Sequence, residues 1–223
     1  MAGVQSLEPA SYGRVTQADG GGRWLQYWRW HTQNTQDRGI LKTGRHAGDW
    51  ELVQVRVDGG GRPIEAVYAQ HSGAERCGWA AVRTRDSAPI AYLANGSHAA
   101  YFRPGVRDRT FPDPNDEAMG RGSVARPPLE LITADDPGWM RFRGRWGTSE
   151  AHLPAEQSSP RGPAFQGERW DDPAVFAAAA SGCMAGRCDR RGECDTREKA
   201  LVGGAAAGVL GVAGLLLWRR RRA

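Results

Sequence analysis

Asp49-Trp50-Glu51-Leu52-Val53-Gln54-Val55-Arg56-Val57 is the stretch whose reading decides the fold class. Its period of two is that of a β-strand, so Asp49, Glu51, Val53, Val55 and Val57 share one face. The next four residues, Asp58-Gly59-Gly60-Gly61, read as a hairpin turn into a second run, Ile64 to His71. Trp24 to Trp30, Pro89 to Ala94, Leu129 to Thr133 and Trp139 to Trp146 are further strand candidates. Gly-Gly-Gly, Asp-Gly and Pro112-Asp113-Pro114-Asn115 punctuate them, and the pattern predicts an all-β protein, a β-sandwich of short antiparallel strands. Pro154 to Pro173 reads as an extended, packed-down loop, and Asp172 to Ala180 as one short helix with Pro173 in its first turn.

Composition agrees. The 223 residues are 40% hydrophobic and 25% charged, which is ordinary for a globular chain. Thirty Gly and 13 Pro disfavour long helices, and nine Trp predict a core built from aromatic slabs. The net charge of +5 is concentrated at the C-terminus, because Arg219, Arg220, Arg221 and Arg222 supply four of the positives. The remainder is nearly neutral, so a basic nucleic-acid-binding surface is not expected.

Ala200 to Trp218 carries no charge and is closed by those arginines. At 1.5 Å per residue it spans about 28 Å, close to the hydrocarbon thickness of a bilayer, and is expected to be a single transmembrane helix. Gly204 and Gly208 put small residues on one face and suggest a helix-mediated dimer. The expected organisation is a disordered N-terminus over 1–11, the β-domain over 12–175, a Cys-containing juxtamembrane segment over 176–199, the membrane helix over 200–218 and a basic tail over 219–223.

The arginine cluster argues for a cytoplasmic C-terminus in the cell membrane, with the domain outside. Five positives on the other side, among them Arg187 and Lys199, weaken that reading, and Met1 to Gly22 has no leader pattern. The cysteines favour the outside. Cys183, Cys188 and Cys194 have spacings unlike a zinc site, so disulfides such as Cys188 with Cys194 or Cys183 with Cys77 are expected, against the alternative of free thiols.

Two carboxylates sharing a face with three valines need a cation, a donor network or water. His46 lies three residues before Asp49, and a tight turn at Ala47-Gly48 would bring its imidazole beside both. His46, Asp49 and Glu51 are therefore candidate ligands of a divalent cation, Ca, Mg, Mn or Zn. The alternative is a salt-bridged strand end in which Arg45 or Arg103 neutralises Asp49. His31, His71 and His98 each follow a predicted strand, so antiparallel pairing gathers them with His46 at one rim, where they are candidate ligand-binding residues. No role is read for His152.

Two resemblances add to this reading. His46-Ala47-Gly48-Asp49-Trp50-Glu51, Asn95-Gly96-Ser97-His98-Ala99-Ala100-Tyr101-Phe102, Gly144-Arg145-Trp146-Gly147, Ser159-Pro160-Arg161-Gly162-Pro163 and Arg169-Trp170 resemble, in this order, the vacuolar protein sorting-associated protein 62 family. Tyr12-Gly13-Arg14-Val15 and Leu25-Gln26-Tyr27-Trp28 resemble its opening strands, so the likeness covers roughly residues 12–175. It implies no defined biochemical activity. The His-x-x-Asp-Trp-Glu core is also similar to the signature of the necrosis- and ethylene-inducing peptide-like toxins, β-sandwich cytolysins whose motif binds a divalent cation that engages sphingolipid sugar headgroups. That similarity implies His46, Asp49 and Glu51 as cation ligands, with Asp37 as a fourth. Ala47-Gly48 stand where the toxins carry a basic residue and a second histidine, which argues against cytolysis.

Three functions follow. The first is a membrane-anchored module whose cation site binds a glycan or lipid headgroup. The second is a metal-dependent hydrolase with His71 or His98 as general acid or base, although no G-x-S-x-G, H-E-x-x-H or Walker A motif is present. In the third, the polar cluster only holds strand ends together.

Overall fold

A long central strand, buried along nearly its whole length, organises the molecule. The computed structural model describes residues 11–36, 45–109, 113–133, 137–148, 159–188 and Cys194. The strands are β1 (Ser11–Gln17), β2 (Arg23–Asn34), β3 (His46–Val57), β4 (Pro63–Gln70), β5 (Gly73–Gly78), β6 (Thr84–Arg85), β7 (Ala88–Pro89), β8 (Tyr92–Leu93), β9 (Ala100–Tyr101), β10 (Gly105–Arg107), β11 (Asp116–Ala118), β12 (Leu129–Leu131) and β13 (Arg187–Cys188). Two short helices follow one another, α1 (Glu168–Asp171) and α2 (Pro173–Ala178).

Six strands form one sheet in the order β12-β1-β2-β3-β4-β5, antiparallel except for the β1–β12 pair. The protein is all-β, as expected. The remaining strands form a three-stranded sheet, β11-β10-β13, and the pairs β6-β7 and β8-β9. One face of the main sheet packs Trp24, Trp28, Trp50, Leu52 and Val67 against Phe176, with Trp30, Trp139, Trp146 and Trp170 around them. The other packs Val53, Val55, Val57, Ala66 and Tyr68 against Val82, Ala100 and Phe102. The alternation read at Asp49 to Val57 is thus real, and it separates two cores.

The hairpin at Asp58 is present, with Asp58 Oδ1 accepting from the Gly60 and Arg62 amides. Asp172 caps α2, accepting from the Ala174 and Val175 amides, and Pro173 begins the helix. The expected strand at Trp139 to Trp146 is corrected. Gly138–Arg141 is a 3₁₀ turn, and the β-pairing of Arg145 is an isolated bridge to Arg161. Its aromatic rings pack onto the sheet from above as a lid, which needs no strand geometry. The disulfides Cys77–Cys183 and Cys188–Cys194 both form. Among the described residues no helix is long and apolar enough to cross a membrane. The segment from Ala200 to Trp218, with Gly204 and Gly208, lies outside the described residues, as do Asp37 and His152.

Candidate functional site

The site arises where two neighbours of β3 part company. β3 stays paired with β2 from Arg23↔Val57 to Asn34↔His46, but its pairing with β4 runs only from Val57↔Pro63 to Val53↔Tyr68. Asp49 and Glu51 lie beyond that limit. A cavity of about 180 Å³ opens there, lined by Asn34, His46, Asp49, Glu51, His71 and Arg169, among others. The cross-strand register sets Arg29 opposite Glu51 and His31 opposite Asp49, which makes them close neighbours on the sheet.

Strict alternation would send His46 to the opposite face from Asp49. Gly48, at φ 76°, breaks it. This left-handed residue turns the strand, so His46 lines the cavity with both carboxylates although the segment is a strand and not the expected tight turn. A Cβ at Gly48 would lie 2.3 Å from the Trp30 ring, so glycine is required here for space as well. His46 Nδ1 donates to the Gly48 carbonyl at 2.7 Å. In the neutral imidazole that leaves the Nε2 lone pair for another partner.

Glu51 is 5% exposed, and its Oε2 has no hydrogen-bond partner. Burial first, and then the neighbouring Asp49, push its carboxyl well above the usual carboxylate range, while Arg169 and Arg29 pull the other way. Asp49 Oδ2 accepts from Asn34 Nδ2 at 3.1 Å and meets His98 Nδ1 at 3.2 Å. His98 sits at φ 59° in the turn between β8 and β9 and stacks on His31, with ring centroids 4.0 Å apart. Burial, then His98 and Arg29, lower the pKa of His31 to about 3, so it is neutral at physiological pH. His71, at φ 50° in the β4–β5 turn, lines the cavity and bonds Asp116 Oδ2 through Nε2 at 2.7 Å.

The predicted histidine rim therefore exists, with His46 and His71 in the cavity wall, His98 on Asp49 and His31 beneath His98. The proposed neutralisation of Asp49 by Arg103 is corrected: that guanidinium donates to the carbonyls of Phe102 and Ala81. Arg169 acts electrostatically on Asp49 and Glu51, and Arg29 acts on Glu51. Sequence reasoning passed over Arg169 as a site residue because it lies more than a hundred positions from Asp49. Its place in the Arg169-Trp170 motif was the available signal. Asn34, only 15 positions from Asp49, was missed because the strand register that sets it opposite His46 cannot be read from spacing.

Glu51 Oε2, Asp49 and His46 Nε2 are oxygen and imidazole groups of the chemical type that ligates divalent cations, and all three residues line the cavity. Among the described residues, however, no three His, Cys, Asp or Glu side chains already stand in metal-holding geometry.

No family model matches the chain, and no curated protein does. Several solved structures are similar. One was described as a toxin fold for microbial attack and plant defense, with 19% identity and a TM-score of 0.34; it covers 55% of this chain and 51% of that one. NLPPya in complex with glucosamine shows 16% identity, a TM-score of 0.34 and the same coverage. NLPPya in complex with mannosamine shows 19% identity and a TM-score of 0.32, covering 55% of this chain and 50% of that chain. The chain thus spans about half the length of the structures it matches. The sugars are properties of those proteins.

Proposed function

We propose that the cavity at the end of β3 binds a divalent cation and, with it, the sugar of a glycan or lipid headgroup. Ala200 to Trp218 would hold the domain at a bilayer. The observation that carries this reading is Glu51 Oε2, a buried carboxylate oxygen without a hydrogen-bond partner on a cavity wall shared with Asp49. A buried ionised carboxylate left unpartnered costs roughly several kcal/mol unless a proton, an internal counter-charge or a bound cation compensates it. Asp49, Glu51 and His46 Nε2 would hold the cation. His98 and Asn34 fix the Asp49 carboxylate in place, and Asp116 fixes His71 at the wall.

A second reading is favoured by a specific observation: Arg29 and Arg169 already offset the charge of Glu51. In that case the cluster is a structural network and no cation binds. Melting of the full 223-residue chain, kept oxidised, separates the two. It is recorded with chelator and then with Ca, Mg, Mn or Zn, for wild type and Asp49→Ala. A cation at 100 times its dissociation constant adds about 2.7 kcal/mol to stability, a readily measured shift. A shift in wild type that is lost in Asp49→Ala supports the cation site. Absence of a shift with all four ions leaves the structural network. Once an ion is identified, the same chain is titrated with amino and neutral hexoses in its presence and absence.

A further inference from the structure

Arg169 is held in position by a set of bonds that has nothing to do with the carboxylates it faces. Gln26 Nε2 donates to the Arg169 carbonyl at 2.6 Å and in the same step to Gln54 Oε1 at 3.0 Å. Gln54 Nε2 donates to the Pro173 carbonyl at 2.9 Å, and Arg14 donates to the Trp170 carbonyl at 2.6 Å. Two glutamines aligned across β2 and β3 thus bolt α1 and the start of α2 to the centre of the sheet. From that anchor the Arg169 side chain passes the Phe176 ring, 5.4 Å from its centroid, and enters the gap left where β4 departs from β3. There Nη2 donates to the carbonyl of His71 and Nη1 lies 3.5 Å from Gln166 Oε1.

The guanidinium therefore spends its close contacts on neutral oxygens. It lines the same cavity as Asp49 and Glu51, yet among the described residues no ion pair within 4.0 Å joins it to either. A charge at that separation acts through space and leaves the carboxylate lone pairs open. We propose that Arg169 is a fixed counter-ion of the Asp49–Glu51 pair, which offsets part of the cavity's negative charge in the absence of a cation and weakens the hold of the two carboxylates on any cation that enters. This rests on the cation reading given above. It explains why three good donors can face one cavity without the fold depending on a metal. It also implies that an anionic ligand group arriving beside Arg169 raises cation affinity by drawing its charge away from the carboxylates.

The test is isothermal titration of the full chain with Ca, Mg, Mn and Zn in turn, for wild type and Arg169→Gln, alongside melting in chelator. Removal of a unit charge next to a largely desolvated site is expected to tighten cation binding by at least about tenfold. Arg169→Gln should also melt lower than wild type in chelator and recover on addition of the cation. Equal or weaker cation binding by a folded Arg169→Gln, in a protein whose wild type does bind, overturns the counter-ion role and leaves the cation site standing. No heat and no melting shift with all four ions, in either protein, overturns the cation reading and this inference with it. If Arg169→Gln does not fold in chelator, Arg169→Gln/Glu51→Gln decides. Folding of that doubly neutral protein supports a charge role, and its failure to fold shows that Arg169 serves packing alone.

Discussion

Two buried carboxylates, one bonded to His71 and one sharing a cavity wall with it, have opposite fates. Asp116 is fully enclosed and satisfied by four donors: Gln36 Nε2 and Ser97 Oγ at 2.8 Å on Oδ1, His71 Nε2 at 2.7 Å and the Tyr101 hydroxyl at 2.5 Å on Oδ2. Burial would raise its pKa, but the hydrogen bonds and the charge of His71, with Tyr101 and Ser97, overcome it and hold Asp116 at about 2. Glu51 is almost as deeply buried, has an oxygen with no donor, and is pushed upward. Burial alone does not distinguish structure from site. Between these two the number of donors supplied differs: the completed network rigidifies the fold, and the incomplete one is where the proposal above places a ligand.

Acid should separate the two regions most strongly. His31, on the Glu51 side, is neutral in the fold down to about pH 3, whereas a free imidazole protonates near 6.5. Below pH 6.5 the unfolded chain gains a proton that the folded chain refuses, so stability is full above that pH and is lost progressively towards pH 3. The difference corresponds to up to roughly 5 kcal/mol. Asp116 has the same sign but a lower window, full above 3.8 and lost as the pH falls towards 2. Denaturant unfolding at a series of pH values, for wild type and His31→Leu, tests this. Parallel curves for the two proteins would remove His31 as the acid-sensitive group.

Asp116→Ala should come next, at about 4 kcal/mol of lost stability, because it leaves the donors of four residues, with Ser97 and Tyr101 buried, without their acceptor. A loss under about 1 kcal/mol in urea unfolding would mean that the network is not what holds β11 against the β4–β5 turn. Gly48→Ala should cost about 2–3 kcal/mol, since it combines a left-handed φ with a clash against the Trp30 ring. It should also misplace His46, so any cation-dependent shift in melting should shrink with it. The smallest effect is expected for Glu51→Gln. In chelator it should be neutral or stabilising by about 1 kcal/mol, because it replaces an under-satisfied buried charge with a neutral isostere. A large loss in that variant would place Glu51 in the same class as Asp116 and erase the contrast.

Much of the fold was legible because it depends on local pattern. Period two marked β3, Asp58 with its glycines marked the hairpin, and Asp172-Pro173 marked the start of α2. The segment Trp139 to Trp146 was misread because its aromatic residues suit a strand and suit equally well a lid of rings packed on one. Choosing between them depends on what lies beneath. The site was half legible. His46, Asp49 and Glu51 lie within six residues, and the histidines at strand ends could be gathered by antiparallel logic. Asn34, Arg29 and Arg169 could not, because each is brought to Glu51 or Asp49 by register or by a helix anchored far along the chain.

The sequence by itself determined the all-β class, the two-faced central strand, the pair of acids on one of its faces and the cysteines available to pair, since all of these follow from residue type and short-range spacing. The tertiary structure alone decided where β4 leaves β3, and so that the acids open onto a cavity. It also decided which acid is given donors. The physical reason is that hydrogen-bond satisfaction and Coulomb fields are properties of what surrounds a group in space, and in this chain those surroundings are assembled from segments more than a hundred residues apart.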